Sequence, residues 1–487
     1  MEALKLNFCW RSDSYKLGHW AQIPPDTQYV YSYLESRTGG FWNHTLFTGL
    51  QGILKANFVG VCFTKEDVEE ARMLSNMHFG NDNVFNYKGW LRLLEKHGGR
   101  LPLRIRAPKE GTLIQTGNAL VTIVNTDPEF PWLTNWAETI LLHVWYPITV
   151  GTLSFEIRQE IGKDLVRTGD PNLVDFKLHD FGYRGVSSVE SAAIGGAAHL
   201  FNFHGTDTLA AVQYIRQMYN TKAMPGFSIP AMEHSTVTSW GREHEADSYR
   251  NMMKVNPTGL AACVIDSYDT LNAVNVIFGN ELRNDVLRRD GTIVLRPDSG
   301  EPAMQLESIF NSIASKFGLD LESPSAKKGW KVLPQQVRVI QGDGVNYQNI
   351  LRINSHLIRA GWSMDNWGYG MGGALLQQLN RDTMRFAIKC SAINRAGIWL
   401  PVYKDPKTDP SKGSKQGMFS LVDRSVDHTG DYVTVGGMAE QDAYGNELDT
   451  VFLDGDLKRE QTYEEVWAAC RANDRYLDPV MVQEAHA

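Results

Sequence analysis

Residues 292–300 read TIVLRPDSG, a short β-branched apolar run that ends in a polar loop containing proline and glycine. The same order recurs at 261–269 (AACVIDSYD), 337–344 (VRVIQGDG) and 367–373 (WGYGMGG), and the helical run ALLQQL follows the last of these. Alternating strand and helix patterns favour an α/β core with parallel strands. Such folds place their chemistry in the polar residues that follow the strands. The pattern predicts a barrel-like core over residues 151–385.

The two ends of the chain show a more mixed pattern. Residues 101–124 carry short β-like runs, residues 132–144 have the periodicity of an amphipathic helix, and the sequence after Lys389 is rich in strand and loop signals. We therefore expect residues 1–150 and 386–487 to fold together as a second, mixed α+β domain.

Composition narrows the class of protein. The chain has 487 residues, of which 43% are hydrophobic and 21% charged, as in an ordinary globular protein. A net charge of −8 argues against nucleic-acid binding through bulk charge. Five scattered cysteines without a CxxC pair indicate a reducing compartment and no structural zinc. No signal peptide or membrane span is predicted, because the apolar zone at 140–150 is short and contains His143 and Pro147; the expected location is the cytoplasm.

Two glycine-bearing loops point to a phosphorylated sugar. Gly342 and Asp343 follow one predicted strand, and Gly372 and Gly373 follow another. Glycine lets the backbone approach a ligand closely, N–H groups at a helix start attract phosphate, and an aspartate accepts ribose hydroxyls. Tight turns alone are the alternative. Neither loop is a Walker loop or a dinucleotide GxGxxG loop.

Four further segments offer candidate site residues. Arg296 and Asp298 emerge together at a strand end, where arginine binds a carbonyl or phosphate and a carboxylate stabilises positive charge; a local ion pair is the alternative. Phe181 offers an aromatic face, although it also suits an ordinary core. Asp207 stands where a helix N-cap would serve equally well. His234 lies in a polar turn suited to proton or phosphoryl transfer.

Read in order, several strings together resemble one family. They are DSYKLGHW (13–20), KLHDFGYRGVSS (177–188), GTDT (205–208), IPAMEHST (229–236), DSYD (266–269), RPDSG (296–300), RVIQGDGV (338–345), GMGGALLQQL (370–379) and KDPKTDPSKGSKQG (404–417). The chain resembles the nicotinamide phosphoribosyltransferases, which are type II phosphoribosyltransferases with an irregular α/β barrel and an added domain. The resemblance implies a homodimer with active sites at the subunit interface. It also implies the conversion of nicotinamide and 5-phosphoribosyl-1-diphosphate to nicotinamide mononucleotide and diphosphate, with Mg²⁺, in NAD salvage.

The resemblance also implies a role for individual residues. Phe181 and, from the neighbouring subunit, Tyr15 would sandwich the pyridine ring, with Asp207 holding the carboxamide and Arg296 near it. His234 would be phosphorylated by ATP with help from Asp266, while the Mg²⁺ ligands stay unassigned. The ribose and its phosphate would contact Asp298, Gly342, Asp343, Gly372 and Gly373. The diphosphate would be surrounded by Arg37, Arg184, His234, Arg296, Arg381, Lys389, Lys404 and Lys412.

Three alternatives stay open. The nearest is a nicotinate phosphoribosyltransferase, but the negative charge of Asp207 favours an amide over the carboxylate of nicotinate. A non-catalytic binding or signalling protein on the same scaffold would have lost site residues that are all present here. A barrel glycosidase with paired carboxylates does not account for the many cations and glycines.

Overall fold

The protein is described by a computed structural model that covers residues 6–408, 413–425, 430–437 and 445–476. These residues form two compact units. The first contains the described residues of Met1–Thr152, Gln217–Asn220 and Asn380–Cys470, and the second those of Leu153–Arg216, Thr221–Leu379 and Arg471–Ala487. Residues 217–220 therefore group with the first unit, and the described residues from Arg471 onward group with the second. The predicted division at 150 and 385 contained neither of these exchanges. Lys412 lies outside the described residues.

The secondary structure alternates along the chain. The strands are β1 (Thr27–Ser36), β2 (His44–Leu46), β3 (Leu103–Ala107), β4 (Leu113–Gln115), β5 (Ala119–Asn125), β6 (Leu178–Asp180), β7 (Gly205–Thr206), β8 (Thr258–Val264), β9 (Asp290–Arg296), β10 (Val337–Gln341), β11 (Trp367–Met371), β12 (Phe386–Arg395), β13 (Ile398–Pro401), β14 (Met418–Asp423), β15 (Tyr432–Gly437), β16 (Asp449–Leu453) and β17 (Asp456–Leu457). The α-helices are α1 (Leu50–Asn57), α2 (Lys65–Phe79), α3 (Tyr87–His97), α4 (Trp132–Leu142), α5 (Trp145–Thr168), α6 (Val189–Leu200), α7 (Leu209–Met218), α8 (His234–Thr238), α9 (Glu245–Val255), α10 (Thr270–Asn272), α11 (Arg283–Arg288), α12 (Pro302–Phe317), α13 (Pro324–Lys327), α14 (Tyr347–Arg359), α15 (Gly373–Leu376) and α16 (Tyr463–Arg471). A π-helix spans Ala273–Glu281, and 3₁₀ turns span Phe8–Trp10, Ser14–Ala21, Pro171–Phe176, Tyr183–Gly185, Arg242–His244 and Met364–Asn366.

The second unit is built on six parallel strands in the order β7-β6-β11-β10-β9-β8. An irregular segment, residues 227–231, joins the two edges through parallel bridges to Gly205 and Ala262. The Thr206 N–H donates to the Phe227 carbonyl, and the Met232 N–H to the Ala262 carbonyl, both at 2.9 Å. These bridges close the sheet into an irregular barrel, so the predicted fold class is confirmed.

Helices connect the strands because the sequence supplies clear start signals after each loop. Between β9 and β10, α12 begins with Pro302 at its first position, and the Glu301 side chain accepts from the Met304 N–H. Between β10 and β11, α14 is capped by Asn346, which accepts from the Asn349 N–H. Parallel strands need such crossovers, and each one returns the chain so that all strand ends meet at one edge.

The first unit is mixed α+β. Its seven-stranded sheet has the order β13-β12-β1-β5-β3-β16-β17 and is antiparallel throughout. The amino-terminal β1 pairs with β12 from near the other end of the chain, with Tyr33 opposite Lys389. An apolar core that includes Trp90 and Trp136 packs the helices of this unit. The prediction that both chain ends contribute to one mixed α+β structure is confirmed.

One helical stretch, Trp132–Thr168, is long and apolar enough to cross a membrane by length and composition. Within it, 78% of the most apolar window is buried inside the protein. Such burial is typical of a core helix, because a helix that is apolar on all sides must be covered by other protein or by lipid.

Candidate functional site

Every strand of the barrel delivers a predicted site residue to the same edge. Since the strands are parallel, their carboxyl ends lie together, as in other barrels whose active sites sit at that face. Phe181 follows β6, Asp207 follows β7, His234 follows the closing segment, Asp266 follows β8, Arg296 ends β9 with Asp298 after it, Gly342 and Asp343 follow β10, and Gly372 and Gly373 follow β11. The barrel topology therefore assembles residues that are far apart in sequence.

A cavity of about 700 Å³ runs into the barrel from this edge. Phe181, Asp207 and Arg296 line it, together with Ser228 of the closing segment. Its volume suits a small organic ligand, and its wall combines apolar and aromatic surface with a few polar groups. One of those groups, Nε of Arg296, is buried without a hydrogen-bond partner in the described part of the chain.

The Phe181 ring lies over a glycine. A Cβ on Gly370 would stand 1.9 Å from Cε2 of Phe181, so only glycine permits this ring position. The Phe181 N–H also donates to the Met371 carbonyl at 3.0 Å. Phe181 is thus held on the cavity wall and is half-buried. Gly370 belongs to the glycine run at the end of WGYGMGG, but its contact with Phe181 was not predicted, although a glycine inside a strand pattern is a signal of close approach.

The Asp207 carboxylate is held by two donors that the sequence analysis did not identify. Nε2 of His179 lies 2.9 Å from its Oδ1, and the Ser228 hydroxyl donates to the same oxygen at 2.5 Å. Burial opposes ionisation, but the hydrogen bond and charge of His179, the Ser228 hydroxyl and the charge of Arg296 hold the pKa of Asp207 below its ordinary value. The alternative of a helix cap is therefore not how this carboxylate is used.

Asp298 has the opposite electrostatic environment. Burial, together with the nearby negative charges of Asp266 and Asp343, raises its pKa above the ordinary carboxyl value, although Arg296 and His234 oppose the rise. Gly342 lies against it, because a Cβ there would be 3.1 Å from Oδ1 of Asp298. A region of unneutralised negative charge beside an arginine is suited to a ligand that carries or develops positive charge.

His234 is oriented by a buried carboxylate. Its Nε2 lies 2.9 Å from Oδ1 of Asp266, whose side chain is 5% exposed, while its Nδ1 is 4.0 Å from Oδ2 of Asp298. The His234 side chain itself is 45% exposed. A histidine with one nitrogen fixed and the other open at a strand end can act as a nucleophile or a proton carrier.

The glycine loops have backbone positions that suit a close ligand. Gln341 donates from Nε2 to the Asp343 carbonyl at 2.8 Å, which shapes the turn, and the Asp343 side chain is exposed. Gly372 precedes α15, and Gly373 begins it. Gly373 also packs against Gly185, because a Cβ added to Gly185 would stand 3.6 Å from the Cα and N atoms of Gly373.

The predicted cations divide between the two units. Arg184 lies in the barrel unit, exposed in the 3₁₀ turn after β6. Four others belong to the first unit. There Arg37 donates to the Arg385 carbonyl at 3.3 Å, Arg381 lies 3.6 Å from Asp382, Lys389 lies 3.6 Å from the buried Glu35, and the exposed Lys404 receives a backbone hydrogen bond from Ser414 at 2.9 Å.

Tyr15 also belongs to the first unit. It lies in the 3₁₀ turn Ser14–Ala21, and its side chain packs against His19 with 5.2 Å between ring centroids. At 61% exposure it presents a large aromatic surface to its surroundings.

The cavity is also lined by Lys177, the residue before β6, which was not predicted as a site residue. Nζ of Lys177 donates to the carbonyls of Met364 at 2.7 Å and Trp367 at 2.8 Å. Burial lowers the pKa of Lys177 to about 7. These carbonyls satisfy the amine, so it anchors β6 to the loop before β11.

No cluster of three or more histidine, cysteine or acidic side chains with metal-binding geometry exists within the described ranges. Asp343 lies in one glycine loop, and Asp298 lies against Gly342 of the same loop. Mg²⁺ commonly uses only one or two carboxylates and takes its remaining ligands from water and phosphate oxygens. The residues present fit that mode of binding.

Comparison with known proteins agrees with this geometry. Residues 176–456 match the nicotinate phosphoribosyltransferase (NAPRTase) family, and residues 7–105 match the N-terminal domain of nicotinamide phosphoribosyltransferase. A protein of Xanthomonas campestris pv. campestris (strain 8004), named nicotinamide phosphoribosyltransferase, is 45% identical over 471 residues, which cover 95% of this chain and 97% of that protein.

Two solved structures share the fold at low identity. Nicotinate-nucleotide pyrophosphorylase from Pyrococcus furiosus has a TM-score of 0.56 at 14% identity and covers 98% of this chain and 100% of that one. Human nicotinic acid phosphoribosyltransferase has a TM-score of 0.54 at 16% identity and covers 96% and 94%. The irregular barrel, with its ring of strand-end residues, defines the phosphoribosyltransferase class. Within that class, the chain belongs to the nicotinate phosphoribosyltransferase (NAPRTase) family.

Proposed function

We propose that this protein joins nicotinamide to 5-phosphoribosyl-1-diphosphate, which gives nicotinamide mononucleotide and diphosphate in NAD salvage. One observation carries the proposal. At a single edge of the barrel, an aromatic face, an arginine, two glycine loops and two carboxylates with opposite pKa shifts lie around the cavity. Two relatives that are named nicotinamide phosphoribosyltransferase and match over at least 93% of this chain support the assignment.

Nicotinamide binds at the cavity mouth. The face of Phe181 stacks on the pyridine ring, Asp207 accepts a hydrogen bond from the amide NH₂, and the unpartnered Nε of Arg296 is available to the amide oxygen. The opposite face of the ring is covered by Tyr15 of a neighbouring subunit in a homodimer with shared active sites. Mixing inactive Tyr15→Ala and Asp207→Ala variants tests this arrangement. Recovery of activity supports sharing, and no recovery after proven subunit exchange contradicts it.

The reaction needs charge stabilisation more than acid–base chemistry. The pyridine nitrogen forms a bond to the anomeric carbon with its lone pair, and the bond to diphosphate breaks with its electrons going to the diphosphate. Asp298 and Asp343 stabilise the positive charge that develops on the ribose. The pyridine nitrogen loses no proton, so no general base is required.

The leaving diphosphate is negative and needs cations. Arg184, Arg296 and His234 of the barrel unit supply positive charge for it. A contribution from Arg37, Arg381, Lys389, Lys404 and Lys412 stays a prediction of the family resemblance. Asp343 would hold Mg²⁺ together with substrate and water oxygens, and the ion would neutralise diphosphate charge. The cytoplasm remains the predicted location.

ATP coupling proceeds through His234. With one ring nitrogen bound to Asp266, the other attacks the terminal phosphorus of ATP; a nitrogen–phosphorus bond forms, and the bond to ADP breaks. After incubation with labelled ATP, acid-labile phosphate should appear on the protein and be absent in His234→Ala. The exposed His244, changed in the same way, is the matched control. Unchanged labelling of His234→Ala would rule out this role.

The deciding experiment is a product assay. Purified protein is given 5-phosphoribosyl-1-diphosphate with nicotinamide or with nicotinate, with and without ATP, and mononucleotide is measured. We expect a strong preference for nicotinamide, which Asp207→Asn should relax. Equal turnover of both pyridines would contradict this preference, a preference for nicotinate would indicate the nicotinate enzyme, and no mononucleotide from either would favour a non-catalytic role.

A further inference from the structure

The Asp207 carboxylate has one oxygen occupied and one open. Its Oδ1 is hydrogen-bonded to both Nε2 of His179 and the Ser228 hydroxyl, whereas Oδ2 has no hydrogen-bond partner among the residues that the structure describes. The Asp207 side chain is 48% exposed and lines the cavity. Oδ2 is therefore available to a ligand in that cavity.

Both donors are fixed by the barrel itself. His179 is in β6, two residues before Phe181, so the two side chains lie on the same face of the strand with 5.2 Å between their ring centroids. Ser228 lies in the closing segment, between the bridges to Gly205 and Ala262. Gly205 makes room for the imidazole, because a Cβ there would stand 2.8 Å from Nδ1 of His179.

We propose that His179 and Ser228 are positioning residues which fix Asp207 so that its Oδ2 is the acceptor for a carboxamide NH₂, and that they thereby set the preference for nicotinamide over nicotinate. The inference rests on the proposed function. It assigns specificity to a three-residue group instead of to Asp207 alone.

Electrostatics supports the same arrangement. The titratable and charged groups around Asp207 are His179, Arg296 and Asp180, which is the buried last residue of β6. The donors keep Asp207 ionised, and an ionised Oδ2 attracts an amide NH₂ while it repels a carboxylate. Without the two donors the carboxylate is free to rotate. It then presents Oδ2 to the amide less often, so discrimination weakens.

A double-mutant cycle tests the proposal. We would measure kcat/KM for nicotinamide and for nicotinate in wild type, His179→Phe, Ser228→Ala, Asp207→Asn and the double variant His179→Phe/Asp207→Asn. In His179→Phe the ratio should fall roughly tenfold, the size expected for a lost hydrogen bond to a charged group, mainly through the KM for nicotinamide. His179→Gln, which keeps an N–H donor, should recover part of the ratio. In the Asp207→Asn background, His179→Phe should change nothing further.

The outcomes distinguish a failure of the positioning role of His179 and Ser228 from a failure of the proposed role of Asp207. A fall of equal size in both backgrounds would show that His179 acts independently and would overturn the proposal. So would an unchanged ratio in His179→Phe and Ser228→Ala alongside a relaxed ratio in Asp207→Asn. If Asp207→Asn itself leaves the ratio unchanged while mononucleotide is still made, the role of Asp207 fails and this inference with it. Should His179→Phe not fold, as judged by circular dichroism, Ser228→Ala and its double variant with Asp207→Asn complete the same cycle.

Discussion

Asp207 and Asp298 are the same residue type at the same edge of one barrel, yet their surroundings differ in sign. Asp207 receives two hydrogen bonds on one oxygen, and its pKa lies below the ordinary value because these donors and nearby positive charge outweigh burial. Asp298 is partly buried near two other carboxylates, and its pKa lies above the ordinary value. The negative charge of Asp207 is compensated by its neighbours, whereas the negative charge of Asp298 is not fully compensated.

The difference suggests a division of labour. A satisfied carboxylate with one free oxygen recognises a neutral amide through geometry. A carboxylate whose negative charge is poorly compensated gains most when positive charge appears beside it, which is the change that occurs at the ribose. Environments that separate two acids in this way are a general means of giving them separate roles.

The largest effect is expected from removing the uncompensated charge. In Asp298→Asn, kcat should fall roughly 100- to 1000-fold, the usual cost of losing one stabilising group of a transition state. The KM for nicotinamide should change little, because Asp207 still binds the amide. Steady-state kinetics with saturating 5-phosphoribosyl-1-diphosphate measures both constants.

Asp290→Asn is the matched control, since Asp290 is an exposed acid at the opposite end of the same strand. It should behave as wild type. A KM increase with an unaltered kcat in Asp298→Asn would contradict the division of labour, because it would make Asp298 a binding residue like Asp207.

A smaller effect is expected at the recognition end of the site. Gly370→Ala would place a Cβ 1.9 Å from Phe181 and push the ring off the cavity wall. We expect the KM for nicotinamide to rise roughly 10- to 100-fold, since misplacement by about 1 Å is enough to lose productive alignment. Gly368→Ala in the same strand, where the nearest atom would be 3.4 Å away, should have little effect. Equal KM values for the two variants would remove Phe181 from ring binding.

The smallest effect concerns a third acid, Asp180, which has no part in the chemistry. Burial raises its pKa to about 6 from 3.8, and its Oδ2 has no hydrogen-bond partner in the described part of the chain. A carboxyl with a raised pKa in the folded state contributes stability below its unfolded pKa and loses it as the pH rises through 6. The loss is about 3 kcal/mol for a difference of about two pH units.

Asp180→Asn should therefore raise the unfolding temperature by a few degrees at pH 8 relative to wild type, and by much less at pH 4. Asparagine can still accept from the Gly182 N–H, which Asp180 binds at 2.7 Å. Thermal unfolding followed by circular dichroism at both pH values measures the difference. The same gain at both would show that burial of this charge is not the cause.

The local sequence correctly predicted the placement of residues that come immediately after a strand in the chain. The runs at 292–295 and 337–340 became β9 and β10, and their polar successors lie at the barrel edge as parallel strands require. The closing segment was not predicted, because residues 227–231 contain a proline and make only single bridges on each side. Such a segment has no periodicity of its own and is extended only because both neighbouring strands are present.

The sequence by itself determined that an α/β core exists, which residues follow its strands, and, through the resemblance of its motifs, which reaction to expect. Only the tertiary structure decided how those residues act. The Asp207 carboxylate is fixed at the cavity because β6 and the closing segment bring His179 and Ser228 to it across 28 and 21 residues of chain, and the proposed role of amide acceptor rests on that arrangement. Hydrogen bonds and charges act over a few ångströms of space, and separation along the chain does not reveal that distance.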